Sequence, residues 1–252
     1  MGTSTVSRLV QARRPWQASR GRTRRIVIVA SVALVAAIGG LLNTGVNALE
    51  GAFGRSAFSG PLPACRIDDI GAPHATLADW GRTLLDPTYR LDRAYAPDDL
   101  VSTTEAGIAG VGSVRALVIL DLEALSRAAS PAGVTMGIES AYRSFDDQVR
   151  TFDSLARAYG IDFAQRSAAR PGHSEHQLGT TIDFLGGEAW LADNAWRFGF
   201  VMSYPPARSP TFSCYKAEPW HFRYFGRARA ATMRASGLSS REWLWQHADD
   251  RP

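Results

Sequence analysis

Gly172-His173-Ser174-Glu175-His176-Gln177-Leu178-Gly179-Thr180-Thr181-Ile182-Asp183 sets two histidines and an aspartate on either side of a glycine. Seven residues along a helix span about 10 Å, too far for His176 and Asp183 to share one ion. They meet only if a loop gives way to a strand, and Gly179 supplies the turn between them. Residues 180–184 then read as a short strand carrying Asp183. A second stretch, Glu218-Pro219-Trp220-His221-Phe222-Arg223-Tyr224, begins another strand over 220–225, with aromatic residues at alternate positions. On a flat strand Glu218 and His221 would face opposite sides. Pro219 argues for an irregular start that turns both toward one point.

His176, Asp183 and His221 can ligate a divalent metal. Two imidazoles and one carboxylate suit zinc and leave a fourth position for water. Glu218 is then free to take that water's proton and deliver it to a leaving amine. The alternative for Glu218 is to orient a ligand histidine. Singly, each residue has an ordinary reading: a lone histidine is seldom a ligand, and Asp183 alone could cap a turn.

Taken together with their flanks, the two stretches resemble the LAS metallopeptidases, and within them the VanY-like D-alanyl-D-alanine carboxypeptidases. Ser174, His176, Gly179 and Asp183 fill the pattern Ser-x-His-x-x-Gly-x-x-x-Asp, and Glu218 to Tyr224 match the family's second motif. The resemblance runs over roughly residues 80–245. It implies a hedgehog/D-Ala-D-Ala peptidase-like fold, a small antiparallel sheet with helices packed on it and the site on the open face. It assigns zinc to His176, Asp183 and His221 and leaves His173 as a pocket-rim residue. Ser140-Ala141-Tyr142-Arg143-Ser144 resembles the family's Ser-x-Tyr-Arg-Ser. Arg143 would bind a terminal carboxylate or stabilise the tetrahedral oxyanion, or else sit at the surface. Gln148 and Ser174 match family positions that line the pocket; for Ser174 a local turn hydroxyl is the rival reading. Two departures stand out: Ser203 where the family often has arginine, and Thr181 where alanine is usual.

The function implied is zinc-dependent D,D-carboxypeptidase action on peptidoglycan stem peptides, with Glu218 as base. The rivals are an L,D-carboxypeptidase, a D,D-dipeptidase or an endopeptidase of the same family, and a non-catalytic hedgehog-like zinc-containing binding domain. His74 and His247 lie outside any motif and read as surface residues. Trp220 reads as packing or as a pocket wall.

The rest of the 252-residue chain sets the context. The net charge of +4 hides an asymmetry: residues 1–49 hold seven arginines and no acidic residue. The remainder is slightly acidic, so nucleic acid is not the expected partner. The arginines precede an uncharged apolar run over 26–42, which reads as a transmembrane anchor or a signal-peptide core. Positive charge on its near side keeps residues 1–25 in the cytoplasm and the remainder outside. In the secreted alternative the chain is cut near Val46-Asn47-Ala48. Residues 43–72 read as a linker and 73–248 as the catalytic domain. Cys65 and Cys214 form a disulfide in an exported protein, or stay two separate buried thiols.

Helices are expected over 114–129 and after Ser144 as far as Gly160, and another after the capping pair Ser239 and Glu242. Strands are expected over 134–142, 180–184, 200–204 and 220–225. Without a regular β-α-β alternation, the class is α+β.

Overall fold

The computed structural model describes residues 60–206 and 212–247. Along the chain, β1 (Ile70–Gly71), β2 (Tyr89–Arg90), β3 (Leu100–Ser102), β4 (Ala109–Gly110) and β5 (Ser113–Arg115) precede helix α1 (Ala116–Ala129). Then come β6 (Gly137–Ser140), α2 (Phe145–Tyr159), α3 (Ile161–Ser167), β7 (Thr181–Leu185) and α4 (Glu188–Asn194). The chain continues through β8 (Phe200–Met202), β9 (His221–Tyr224), α5 (Arg227–Ser236) and α6 (Ser240–His247). The class is α+β, as expected. The main sheet has the order β4-β6-β7-β9-β8. It is not purely antiparallel, because edge strand β4 runs parallel to β6. The chain between them passes through β5 and α1, and a crossover of that kind brings strands together in parallel.

Alternation along the central strands separates the core from the site. In β9, Phe222 and Tyr224 point to the core, and His221 and Arg223 to the other face. In β7, Ile182 and Phe184 enter the same core while Asp183 faces the site. Val118, Leu122, Leu125 and Ala129 of α1 supply the helical side of that core at spacings of four and three. Phe222 is 1 % exposed, so truncating it to alanine would cost about 3–5 kcal/mol.

Local signals place the helices. Ser144 Oγ accepts from Asp147 N at 3.1 Å, and the Asp147 carboxylate accepts from Ser144 N at 3.3 Å, closing a capping box ahead of α2. Ser239 and Glu242 do the same before α6. Helix α1 begins two residues later than expected, because Val114 pairs within β5 and Arg115 is still extended. Helices α3, α4 and α5 were not anticipated. The first two have seven residues each, too short to show a period, and α5 buries only Ala230 and Met233.

The expected boundary at residue 73 moves toward the N-terminus. Trp245 Nε1 donates to Gly60 O at 2.9 Å, Arg241 Nη2 to Pro63 O at 3.2 Å, and Thr88 Oγ1 to Arg66 O at 2.7 Å. Residues 60–72 are therefore part of the folded domain rather than linker. Cys65 and Cys214 are disulfide-bonded, with Cα atoms 5.5 Å apart. The bridge ties this leading segment to the loop ahead of Glu218. Among the described residues no helix is long and apolar enough to cross a membrane. The 26–42 run, the basic tail and residues 43–59 lie outside the described residues.

Candidate active site

Backbone pairing brings the ligand set together. Asp183 and His221 are register partners on β7 and β9, so their side chains are neighbours on one face. His176 comes from a short 3₁₀ turn, Glu175–Leu178, that Gly179 ends in the left-handed conformation at φ +72°. A Cβ at Gly179 would meet Arg115 Cγ at 2.9 Å, so the position demands glycine twice over. The pairing of Glu218 with His221, awkward on a flat strand, is resolved by a turn. Glu218 O accepts from His221 N at 3.1 Å, with Pro219 at the second position, where its fixed φ fits.

The donor atoms of His176, Asp183 and His221 lie within 4.8 Å of one another. His176 Nδ1 is 2.6 Å from Ala141 O. A carbonyl only accepts, so Nδ1 carries the proton and Nε2 is bare, 3.1 Å from Asp183 Oδ2. His221 Nε2 is 3.1 Å from Glu175 Oε2, which leaves Nδ1 facing Asp183 Oδ1 at 3.0 Å. Asp183 Oδ1 is buried without a hydrogen-bond partner despite that distance. Donor atoms that converge this closely are what a cation would satisfy, and two imidazoles with a carboxylate are a zinc-type donor set. The residues fit a metal ion.

The electrostatics agree with that arrangement. Burial pushes His176 below its ordinary value, keeping it neutral. Burial also pulls His221 down, but the negative charges of Asp183 and Glu175 against its ring outweigh this and hold it at about 10. Burial works to raise Asp183, yet the two histidines hold it well below the usual carboxylate range. Glu218, whose Oε2 is 3.6 Å from His221 Nδ1, is pushed up, chiefly by burial. A carboxylate raised in this way is a better proton acceptor than a free one.

These groups line a cleft of about 210 Å³ that Arg143, Gln148, Ser174, Tyr204, Tyr215 and Trp220 complete. Arg143 Nη1 donates to Gln148 Oε1 at 2.9 Å and Nη2 to Ser140 Oγ at 2.8 Å, while Nη2 lies 4.0 Å from Asp183 Oδ2. Gln148 is itself fixed by donating to Ala169 O at 2.6 Å. Ser174 lines the cleft, and its hydroxyl also accepts from His176 N at 3.3 Å, so it caps the ligand turn. A larger apolar hollow of about 450 Å³ near Leu191, Phe200, Met233 and Leu238 contains none of the ligand or carboxylate groups.

A family model described as VanY, D-alanyl-D-alanine carboxypeptidase, matches residues 112–227, which span Arg143, the ligand set and Glu218. Over that stretch the chain resembles the VanY family. A D-alanyl-D-alanine carboxypeptidase of Enterococcus faecalis is 36% identical over 141 residues, covering 49% of this chain and 52% of that protein. The chain thus spans about half the length of that relative. The solved structure of a vancomycin-resistance D,D-pentapeptidase VanY with Zn(II) superimposes with a TM-score of 0.58 at 27% identity. The match covers 66% of this chain and 99% of that one. The LD-carboxypeptidase LdcB gives a TM-score of 0.56 at 27% identity, covering 67% of this chain and 86% of that one.

Two sequence expectations change. His173 is not at the pocket rim: it is fully buried, with Nδ1 2.7 Å from Asp86 O and Nε2 3.0 Å from Asp69 Oδ1. It clamps the leading segment to the ligand loop. His74 and His247 are half-buried rather than on the surface, and His247 stacks on Trp243 with ring centroids 4.6 Å apart. For Trp220, 40% exposed, the structure selects the pocket-wall reading over packing. Sequence reading also missed three residues at the site. Tyr204 lies against the His221 ring, with centroids 4.6 Å apart, and Tyr215 against Tyr204 at 5.1 Å. Glu175, beside ligand His176, is 3% exposed. An acidic residue at a position this buried is the signal that alternation around the 3₁₀ turn could not give.

Proposed function

We propose that this chain is a zinc-dependent D,D-carboxypeptidase that removes the terminal D-alanine from peptidoglycan stem peptides ending in D-Ala-D-Ala. The observation that carries this is the convergence of His176 Nε2, Asp183 and His221 Nδ1 beside the buried Glu218, in a cleft whose other side holds Arg143. Zinc, when bound by these three residues, supplies Lewis acidity and lowers the pKa of water to about 7. Glu218 takes a proton from the attacking water and returns it to the leaving amine, so that water's hydroxyl ends on the acyl carbon and its proton on D-alanine. Arg143, held by Gln148 and Ser140, pairs with the free carboxylate of the terminal residue. That pairing accounts for an exopeptidase rather than an endopeptidase.

A second reading is L,D-carboxypeptidase action, favoured by the likeness to LdcB, nearly as close as that to VanY. Mass spectrometry of pentapeptide and tetrapeptide stems separates the two. Loss of one alanine from the pentapeptide, abolished by chelator and by Glu218→Ala, supports the first reading. Loss from the tetrapeptide alone would replace it with the second. Wild-type turnover by Glu218→Ala would remove the peptidase assignment altogether.

The N-terminal run over 26–42 acts, in this proposal, as an anchor holding the domain outside the cytoplasm. The Cys65–Cys214 bridge supports an oxidising compartment. Protease accessibility of the domain on intact cells tests it, and protection would refute it.

A further inference from the structure

The two histidine ligands differ in what stands behind them. His176 donates to a neutral backbone carbonyl, Ala141 O at 2.6 Å. His221 donates to a carboxylate, Glu175 Oε2 at 3.1 Å, in a position from which water is excluded. Glu175 Oε1 in turn accepts from Arg223 Nη1 at 2.9 Å. Arg223 is 0% exposed, and its Nη2 donates to Trp80 O at 2.7 Å and Thr83 O at 2.9 Å. The chain of contacts runs from ligand to carboxylate to guanidinium to a backbone segment far away in sequence. Its arrangement is economical: Glu175 precedes one ligand on the 3₁₀ turn, and Arg223 follows the other by two residues on the same face of β9.

We infer that Glu175 is the positioning residue for the metal ligand His221, and that Arg223 holds Glu175 in place for that task. This rests on the metal-centre reading of the site given above. Three alternatives fit less well. A purely structural ion pair needs no second carboxylate oxygen aimed at a ligand imidazole. A surface contact is excluded by burial. A catalytic role is excluded because Glu175 is not among the groups lining the cleft. A carboxylate behind a ligand imidazole fixes its tautomer, fixes the ring plane and raises its basicity, and removing such a partner typically costs about 10–100-fold in metal affinity.

The test measures zinc affinity of the full chain by chelator competition, with the visible spectrum of the cobalt-loaded protein as a second readout. Glu175→Gln is expected to weaken zinc by about 10-fold or more and to shift the cobalt bands, while the same change at the exposed Glu188 of α4, Glu188→Gln, leaves both close to wild type. Glu175→Gln also leaves Arg223 without its charge partner and could unfold the protein. The double variant Glu175→Met with Arg223→Met therefore removes both charges together while keeping the volume filled. It is expected to stay folded by circular dichroism, lose zinc affinity to a similar extent and show the same cobalt shift. Wild-type affinity and spectrum in both variants would overturn the inference. If the wild-type chain itself bound no zinc at a site sensitive to His176→Ala, the metal-centre reading would fail first, and the two failures are told apart by that control.

Discussion

The two walls of the cleft are built differently. One carries Asp183 and His221 on paired central strands, with His176 on a turn pinned by Gly179. The other carries Arg143 just past the end of β6, Trp220 in a turn, and Tyr215 in the loop beside Cys214. A strand register places side chains to within a fraction of an ångström, because a slip of one residue sends every group to the wrong face. Loops have no such constraint, and they are where substrate preference changes most readily. The comparison teaches that chemistry and selectivity are separable here. Changes to the first wall should act on metal and turnover, and changes to the second on substrate recognition.

The largest effect is expected from the base. Glu218→Gln should lower kcat by about 10²–10⁴-fold while zinc content, measured by elemental analysis, stays at the wild-type level. Loss of zinc together with activity would mean that Glu218 belongs to the metal wall and that the division is drawn in the wrong place. Next comes Arg143→Ala. The loss of a charged hydrogen bond to substrate should reduce kcat/KM by roughly 10–100-fold. The same variant should make little difference on a stem peptide whose terminal carboxyl is amidated, because that substrate has no carboxylate to pair. An equal loss on both substrates would point to the oxyanion instead.

How much of this was visible in the chain before folding follows the same division. The convergence of His176, Asp183 and His221 beside Glu218 was legible because histidines are few in this chain and two of them stand with these acids in short patterns. The strands carrying Asp183 and His221 were legible too, the second from its aromatic residues at alternate positions. The parallel edge strand β4 was not legible, since two residues carry no period. The fixed place of Gln148 depends on Ala169 O, 21 residues further on, and that of Tyr215 on the ring of Tyr204, neither of which a local period reveals. His173 was misjudged for the same reason: its partners, Asp86 O and Asp69, lie more than 80 residues upstream, where no local pattern points to them. Glu175 was hidden because a glutamate beside a ligand looks like a solvated turn residue until its burial is known.

A third prediction concerns protons. Before metal binds, His221 is held at about 10 by Asp183 and Glu175, so it is charged at neutral pH, whereas burial keeps His176 neutral. Metal must therefore displace one proton, from His221. A folded value raised above the ordinary one means that affinity rises with pH, about tenfold per unit, until His221 deprotonates on its own near 10. Calorimetry at pH 7.5 in buffers of different ionisation enthalpy should count one proton released per zinc. A count of zero would break the claim that the two carboxylates charge this ligand; a count of two would mean that His176 is charged as well.

The smallest effect on turnover, and the sharpest probe of the two-wall division, comes from the disulfide. Cys65 and Cys214 are 149 residues apart, so removing the bridge relaxes a long loop and should cost about 2–4 kcal/mol of stability. Tyr215 follows Cys214 directly and lines the cleft beside Tyr204. Loosening that loop should raise KM for the stem peptide by about a few-fold through lost preorganisation. The metal wall draws nothing from the bridge, because Asp183 and His221 are held by the β7–β9 ladder. The Cys65→Ser, Cys214→Ser double variant should then unfold at lower denaturant, bind zinc with wild-type affinity and keep kcat near wild type. A matching loss of zinc affinity would show that the strand ladder alone does not hold the ligands and that the disulfide loop supports both walls at once.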